Sequence, residues 1–346
     1  MRRPKFLSPT SLSQYYSEPE EFYLQRIVDV PPPKFPQTQP MAIGSSFDAY
    51  VKNYLYQQFI GNPTGTPFQF DTMIKAQVEN LAYRDWSIKH GAYAFACYKK
   101  HGSLAALVQE LGISVANSIK MEMTVQKTLQ GVPLYGKPDL VFQVTCPQGL
   151  ATFVLDWKVN GYCSAYPQSP KKGYINLRPQ NKMHKNAVLG NVCGLTINMA
   201  DYLENIDASW AAQTTTYAWI LGAEIGSEIY CGIDQLLCKR LDTVLYKTTQ
   251  WDNSLETNYP EISVASFRMA VSEKFQFELM AKYIHLWSLL ALSDDYIKQK
   301  FFIKNPFSSN PCFVESEGES ELKCNSLEMP DPFAKVFGTD QPGRAR

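Results

Sequence analysis

The sequence contains no long apolar run, no excess of one charge and no closely spaced cysteine pair, and each absence excludes a class of protein. No stretch approaches the roughly 18 apolar residues of a membrane span, so we expect no membrane partner. The 346 residues include 33 basic and 33 acidic side chains, for a formal net charge of zero. Any binding to nucleic acid therefore has to come from local patches. None of the eight cysteines is spaced as CxxC, which argues against a zinc ribbon and an iron–sulfur cluster.

The N-terminal residues also lack the pattern of a targeting signal. Met1-Arg2-Arg3-Pro4-Lys5 is not followed by the apolar run that a signal peptide needs. The even number of cysteines is compatible with disulfides. Without a secretory signal, however, we predict reduced cysteines in a cytoplasmic protein.

The N-terminal third of the chain has a helical pattern. Residues 8–27 predict short helices with serine caps, and the proline-rich residues 31–40 predict a non-helical connection. We expect a helix to begin near Ser45, and residues 70–112 to be mostly helical. The helix after Ser45 has a buried stripe at i, i+3, i+4 and i+7 spacing, formed by Phe47, Tyr50, Val51, Tyr54, Leu55 and Phe59.

The middle of the chain changes to the period-two pattern of strands. Ile119, Met121, Met123 and Val125 alternate with polar residues, which predicts a strand. Further strands are expected near 138–145 and 151–159, and again near 228–233 and 242–249. A helix is predicted over about 209–222, and one long helix over about 265–303, with a core face of Phe277, Met280, Ile284 and Trp287.

Two short segments of this strand region carry acidic and basic residues that suit phosphodiester chemistry. Asp139 opens one strand, after Gly136-Lys137-Pro138, and Asp156 and Lys158 lie within the next, on the face opposite Trp157. If the strands are neighbours, the two carboxylates can share one Mg²⁺ or Mn²⁺ ion, and Lys158 can position water or stabilise developing charge. Alternatively, Asp139 belongs to a proline turn and Lys158 forms only an ion pair.

Other candidate residues have a structural alternative of similar weight. Glu122 is either a metal ligand or a solvated strand residue. Asp48 is either a ligand or, at capping-box spacing from Ser45, part of a helix start. Gln213 and Tyr217 share a helix face at i, i+4, and their structural alternative is a core tyrosine with a surface glutamine. A basic run interleaved with Tyr174 suits a single nucleic-acid strand, or is an ordinary solvated loop; it consists of Lys171, Lys172, Arg178, Lys182, His184 and Lys185.

Taken together, these segments resemble the PD-(D/E)XK nuclease superfamily. Gly136-Lys137-Pro138-Asp139 and Asp156-Trp157-Lys158 look like its signature. Gln213-Thr214-Thr215-Thr216-Tyr217 resembles the QxxxY motif of the RecB-like exonuclease branch, which includes phage and CRISPR-associated exonucleases. Ser11–Tyr16 and Gly44–Asp48 stand where that branch has its opening motifs. Asp48 occupies the position of the branch's usual histidine ligand.

The resemblance implies a fold and an organisation. We expect an α/β protein with a mixed central sheet flanked by helices, a restriction-endonuclease-like core with N- and C-terminal helical additions. The expected regions are an N-terminal helical region at 1–112, a nuclease core at 113–250 with a basic insertion at 160–208, a C-terminal helical region at 251–304 and a mobile acidic tail at 305–346.

The implied function is that of a DNA exonuclease dependent on Mg²⁺ or Mn²⁺, without an iron–sulfur cluster. Its process would be DNA recombination, repair or phage DNA processing, in a bacterial or phage-infected cell, with a recombination protein as a conceivable partner. One or two ions would be held by Asp139 and Asp156, together with the Val159 backbone or with Asp48 and Glu122. DNA contacts would come from Gln213, Tyr217 and the basic run. A sequence- or structure-specific endonuclease and an inactive DNA-binding relative remain alternatives.

Overall fold

The computed structural model describes residues 1–33, 36–61, 70–147, 149–162, 188–239 and 259–302. Within these ranges the chain forms ten α-helices: α1 (Pro9–Ser17), α2 (Pro19–Arg26), α3 (Gln39–Leu55), α4 (Phe70–Gln77), α5 (Leu81–Lys100), α6 (Ser103–Gly112), α7 (Leu203–Ile206), α8 (Ala208–Ile220), α9 (Glu273–Leu290) and α10 (Asp294–Phe302). A π-helical segment, Tyr56–Ile60, continues α3. The described ranges also hold nine strands: β1 (Lys120–Met121), β2 (Val125–Leu129), β3 (Val132–Gly136), β4 (Leu140–Cys146), β5 (Gly149–Asn160), β6 (Leu189–Val192), β7 (Leu195–Tyr202), β8 (Ile229–Lys239) and β9 (Glu261–Val271).

Seven of these strands form one mixed sheet in the order β1-β4-β5-β8-β9-β7-β6. The β5–β8 and β7–β9 pairs are parallel, and the other pairs are antiparallel. β2 and β3 form a separate hairpin. The prediction of an α/β fold with a mixed, helix-flanked sheet and a restriction-endonuclease-like core is confirmed.

Helices pack on both faces of the sheet, so its central strands are apolar on both sides. On one face, Val154 and Ile233 pack with Trp219 of α8 and Tyr283 of α9. On the other, residues of α3, α5 and α6 cover the sheet, including Phe47, Tyr98 and Leu107 with Phe153 and Trp157. The end of β5 therefore lies between α8 on one side and α3 and α5 on the other.

Side-chain caps start several helices where the sequence predicts them. Ser8 and Ser11 form a capping box at the start of α1. Asp207 accepts hydrogen bonds from Ser209 N and Trp210 N at the start of α8. The helix expected from Ser45 begins earlier, at Gln39, because Pro40 fits the first turn, where its missing N–H is not needed.

The structure corrects two of the predicted elements. The single strand expected over 119–126 is broken after β1, because Glu122 has φ 56° and turns the chain into the β2–β3 hairpin. The single helix expected over 265–303 is wrong. β9 occupies Glu261–Val271 inside the central sheet, and α9 and α10 follow it. In α9 Met280 is buried, whereas Phe277 is 51% exposed, so the core face differs from the one expected.

The prediction of reduced cysteines is also wrong for one pair. Cys146, the last residue of β4, and Cys193, between β6 and β7, form a disulfide with Cα atoms 5.0 Å apart. Among the described residues, Cys97, Cys231 and Cys238 are not disulfide-bonded. No helix of the described ranges has the length and apolar character needed to cross a membrane. The strand expected over 242–249, the basic run and the acidic tail lie outside the described residues.

Candidate active site

Asp139 and Asp156 meet at the end of the β4–β5 pair. Leu140 is paired with Leu155 in antiparallel register, so the residue before β4 faces Asp156. Burial and then the charge of Asp156 raise the pKa of Asp139, and the second effect is expected for two carboxyl groups that lie side by side. Asp156 is 2% exposed within an otherwise apolar stretch of β5. The two strands are neighbours in the sheet, as expected, and Asp139 and Asp156 lie next to each other.

Lys158 lies beside this pair on the same face of β5. Its Nζ is 2.5 Å from Asp156 Oδ2 and donates a hydrogen bond of 2.8 Å to Gln213 Oε1 of α8. Trp157 points to the opposite face, where its indole N–H donates to Tyr98 of α5. The period-two alternation of a strand thus separates the charged side chains from the tryptophan, as predicted.

Gln213 and Tyr217 hold the outer side of Lys158. Gln213 Nε2 donates to Tyr217 Oη over 3.3 Å, while its carbonyl oxygen accepts from Lys158. Gln213 can form both hydrogen bonds at once because it shares one face of α8 with Tyr217, at i and i+4. The structure therefore brings this pair to the lysine and does not place Gln213 apart as a surface residue.

Asp48 and Glu122 complete a second group of carboxylates with Asp139. One oxygen from each of the three lies within 4.8 Å of the others. Asp48 lies in the interior of α3, so the alternative that it caps this helix does not apply. Glu122 has the left-handed φ of 56° that few non-glycine residues adopt. Such strain is typical of functional sites, and here it accompanies a turn that leaves the carboxylate facing Asp48.

Two further residues belong to this group and are absent from the sequence-based prediction. Lys52, one turn after Asp48 on α3, contacts Asp48, Glu122 and Asp139 through Nζ. Gln77, the last residue of α4, donates to Asp48 Oδ2 at 3.1 Å and to Glu122 Oε1 at 3.2 Å. The sequence feature that could have indicated the role of Lys52 is its i, i+4 spacing from Asp48 in a helix with an apolar stripe. Gln77 carried no comparable signal.

The electrostatics of the site follow from burial and from the crowding of charges. Burial, reinforced by the charge of Asp139, raises the pKa of Asp48 to about 7. Burial and then the charge of Asp156 hold the pKa of Asp139 well above its usual range. Burial opposes the charged form of Asp156 as well, but the Lys158 ammonium outweighs it and lowers the pKa of Asp156. Burial tends to lower the pKa of Lys158, yet Asp156 raises it overall, so Lys158 is an ammonium at neutral pH.

The donor set fits a hard divalent cation. The cluster of Asp48, Glu122 and Asp139, with Asp156 beside Asp139, provides only oxygen, the ligand type that Mg²⁺ and Mn²⁺ prefer. Asp48 Oδ1 is buried and has no hydrogen-bond partner, so one carboxylate oxygen of this cluster is unsatisfied. Crowded carboxylates with raised pKa values favour a cation that removes their mutual repulsion. The residues present therefore fit the metal that the sequence predicts.

Two cavities are lined by residues of the site. A cavity of about 200 Å³ is lined by Asp48, Asp139 and Val159, with Gly44, Ser45, Phe47 and Trp157. A groove of about 500 Å³ is lined by Lys158 and Gln213 together with residues of α1, among them Ser13, and by Arg26 and Trp210. Val159 thus lies where its backbone can face the carboxylates. The basic run Lys171, Lys172, Arg178, Lys182 and Lys185 is outside the described residues.

Comparison with known proteins agrees with this geometry. The family description "PD-(D/E)XK nuclease superfamily" matches residues 6–180. No curated protein matches the chain in sequence. A solved structure titled "Crystal structure of SSO0001" aligns with a TM-score of 0.23 and 10% identity, over 80% of this chain and 83% of that chain. Because the family match covers half of the sequence and contains Asp139, Asp156 and Lys158, the chain belongs to the PD-(D/E)XK nuclease superfamily.

Proposed function

We propose that the protein is a metal-dependent DNA exonuclease whose catalytic residues are Asp139, Asp156 and Lys158. The observation that carries the proposal is the convergence of these three side chains where β4 begins and β5 ends. Asp139 and Asp156 flank the paired residues Leu140 and Leu155 of neighbouring strands. The Lys158 ammonium is 2.5 Å from Asp156 Oδ2. Superfamily membership provides the nuclease chemistry. The exonuclease activity and the DNA contacts rest on the resemblance of Gln213 and Tyr217 to the QxxxY motif.

Asp139 and Asp156, with the Val159 carbonyl, would hold the ion, and Asp48 and Glu122 stand close enough to support it. A bound Mg²⁺ or Mn²⁺ ion supplies Lewis acidity that activates water at neutral pH. Lys158 stays protonated beside Asp156, so its task is to hold the attacking water or to stabilise negative charge on the phosphate, and not to act as a base. Gln213 fixes the direction of the lysine because its side-chain carbonyl oxygen accepts a hydrogen bond from the Lys158 ammonium.

The groove lined by Lys158 and Gln213 offers a path for one strand of DNA. Polar side chains of α1 line it together with Arg26 and Trp210, although Trp210 itself is only 7% exposed. Phosphate oxygens accept from arginine and from hydroxyl and amide donors, so this lining suits a nucleic-acid backbone. Recombination, repair or phage DNA processing is the process that the resemblance suggests for such an exonuclease.

The proposal is tested with end-labelled linear DNA and closed-circular DNA, each with Mg²⁺, with Mn²⁺ and with chelator. We expect mononucleotides or short products from linear DNA only, and none without a divalent ion. Asp156→Asn and Lys158→Met should each lower the rate by about 10²-fold or more. Matched controls are Asp295→Asn and Lys274→Met, whose side chains are 98% and 87% exposed.

Each outcome has a definite meaning. Cleavage of closed circles would replace the exonuclease by an endonuclease of the same superfamily. DNA binding without cleavage under any divalent ion would indicate an inactive relative. Undiminished cleavage by the Asp156→Asn and Lys158→Met variants would refute the assignment of the catalytic residues.

A further inference from the structure

The ammonium of Lys52 stands among three carboxylates at a position that a metal ion could take. Its Nζ donates to Asp139 Oδ1 over 2.9 Å and also contacts Asp48 Oδ2 and Glu122 Oε1. Lys137, half exposed, contacts the other oxygen of Glu122 from outside. The three oxygens around Lys52 come from the same three carboxylates that could otherwise ligate an ion.

An ion bound to those three carboxylates and the Lys52 ammonium exclude one another. Mg²⁺ requires oxygens at about 2.0–2.1 Å, so an ion ligated by the oxygens that surround Nζ would occupy the position of Nζ itself. Two cations at that separation would also repel strongly in a site shielded from water. Either the lysine leaves the cluster, or the cluster takes no ion at this position.

The surroundings of Lys52 oppose its departure. Its side chain is completely buried, and Asp48, one helical turn earlier, holds the same ammonium. On either side along α3, Val51 and Leu55 are buried in the apolar core. Rotating the side chain away from its carboxylates would leave the ammonium in apolar surroundings without partners, which is among the costliest arrangements for a charge.

The Asp139–Asp156 edge is different, because Lys158 contacts only one of its two carboxylates. The ammonium lies near Asp156 Oδ2 and is turned toward Gln213. Val159 and Asp139 line a cavity of about 200 Å³ on this edge, so space for one ion exists without displacing Lys52.

We infer that Lys52 is a resident cation that takes the place of a second metal ion, so that this nuclease binds a single divalent ion, at Asp139, Asp156 and the Val159 carbonyl. The inference deepens the proposed function and rests on its metal site. Two-metal nucleases hold their ions about 3.5–4 Å apart. Here a fixed ammonium orients Asp48 and Glu122 instead, and it makes Lys52 a positioning residue for Asp139.

The inference is tested by counting bound Mn²⁺. Wild-type protein is titrated with Mn²⁺ by calorimetry, and the bound ions are examined by electron paramagnetic resonance, which distinguishes an isolated ion from a coupled pair. We expect one ion per chain and an uncoupled spectrum. Lys52→Met frees three carboxylates and should raise the count to two, with a coupled spectrum. The matched control, Lys137→Met, removes an exposed lysine from the same Glu122 and should leave the count at one.

The outcomes separate this inference from the proposed function. If the wild-type protein binds no Mn²⁺, the metal site itself is wrong. If it binds two ions, or if Lys52→Met still binds one, Lys52 does not replace an ion although the nuclease assignment stands. Should Lys52→Met not fold, Lys52→Gln removes the charge, keeps a polar side chain at this position and leaves all three carboxylates in place. A count of two in that variant supports the inference, and a count of one overturns it.

Discussion

At the scale of single residues, Gly136 has no side chain to take part in catalysis, but the site needs a glycine at this position. The ring of Tyr217 packs directly on its backbone. A Cβ atom at this position would lie 2.6 Å from Tyr217 Cδ1 and 3.0 Å from Ile220 Cδ1, distances too short for real side chains. The glycine just before Lys137-Pro138-Asp139 therefore makes room for the tyrosine that supports Gln213, which in turn orients Lys158.

We predict that Gly136→Ala weakens both the active site and the fold. The added methyl group has to displace the Tyr217 ring, so Gln213 loses its partner and Lys158 loses its fixed direction. Overpacking of this kind costs about 1–3 kcal/mol, measurable by urea unfolding. The rate of DNA cleavage should fall by about 10–100-fold, the usual effect of removing a residue that orients a catalytic group.

Gly112→Ala is the matched control for Gly136→Ala. Gly112 ends α6, and a Cβ atom there meets nothing within 4 Å. Unchanged cleavage and equal or higher stability are expected from this variant. If Gly136→Ala behaves in the same way, the packing of Tyr217 on Gly136 does not matter for the site.

The residues of the site were only partly accessible from the sequence. Asp156, Lys158 and Trp157 could be placed because a strand alternates its faces, and this rule is local. The position of Lys52 could not, because its three partners come from α3, from the turn after β1 and from the start of β4. Only the assembled fold brings those segments together, and a lysine in a helix is exposed far more often than buried.

At the scale of elements, a buried ionic network behind the active site joins β5, β8, β9 and two helices. Arg268 of β9 donates to Asp234 of β8 at 2.9 Å and to both carboxylate oxygens of Glu110 in α6 at 3.0 and 2.9 Å. Tyr98 of α5 donates to the same aspartate at 2.5 Å and accepts from Trp157 of β5. The network therefore reaches the residue that separates Asp156 from Lys158.

We predict that Arg268→Met destabilises the protein by about 3–5 kcal/mol in urea or thermal unfolding. The reason is that Asp234, which is 0% exposed, would be left as a buried charge without its cation. Arg268→Met/Asp234→Asn removes both charges and should lose clearly less than the sum of the two single variants. Additive losses, or a cost below about 1 kcal/mol for Arg268→Met, would show that the pair is not coupled in this way.

Helices and strands were predicted correctly where the spacing of apolar residues kept one period, 3.6 for a helix or two for a strand, along the whole element. β5, α8 and the N-terminal helices follow their patterns and appear within a few residues of the expected bounds. β9 was missed because its apolar residues continue into those of α9, with only Ser272 between the two elements. The break at Glu122 was missed because the alternation of polar and apolar residues continues through it, although its φ is 56°. Its ion pairs with Lys52 and Lys137 form only in the folded chain.

At the scale of the whole molecule, the disulfide and the pH dependence of stability are properties that local patterns do not reveal. Cys146 and Cys193 are separated by 47 residues, and residues 163–187 between them lie outside the described ranges. Neither their spacing nor their surroundings in the sequence distinguish them from Cys97, Cys231 or Cys238, which are not disulfide-bonded. Cysteine pairing depends on the distance between Cα atoms, and this distance is known only once the chain is folded.

The pH dependence of stability follows in part from His90. This residue of α5 contacts Tyr162, which lies just after the end of β5. The His90 ring lies among Trp86, Tyr162 and Tyr259, is 3% exposed, and Nδ1 is 2.7 Å from Tyr162 Oη. Burial, followed by the charge of Lys89, lowers the pKa of His90 to about 4. In the unfolded chain histidine titrates near 6.5, so between about pH 6.5 and about pH 4 the unfolded state binds the additional proton.

We therefore predict that His90 removes about 2 kcal/mol of stability as the pH falls from about 6.5 to about 5, and nothing above that range. Carboxylates titrate in the same interval, so the measurement is a difference: urea unfolding of wild type and His90→Asn at about pH 7.5 and pH 5. Asparagine keeps a polar atom near Nδ1 but cannot be protonated, so the variant should lose less stability on acidification than the wild type. His285→Asn, a change at an exposed residue of α9, should follow the wild-type curve. Parallel curves for all three proteins would mean that His90 does not contribute to acid sensitivity.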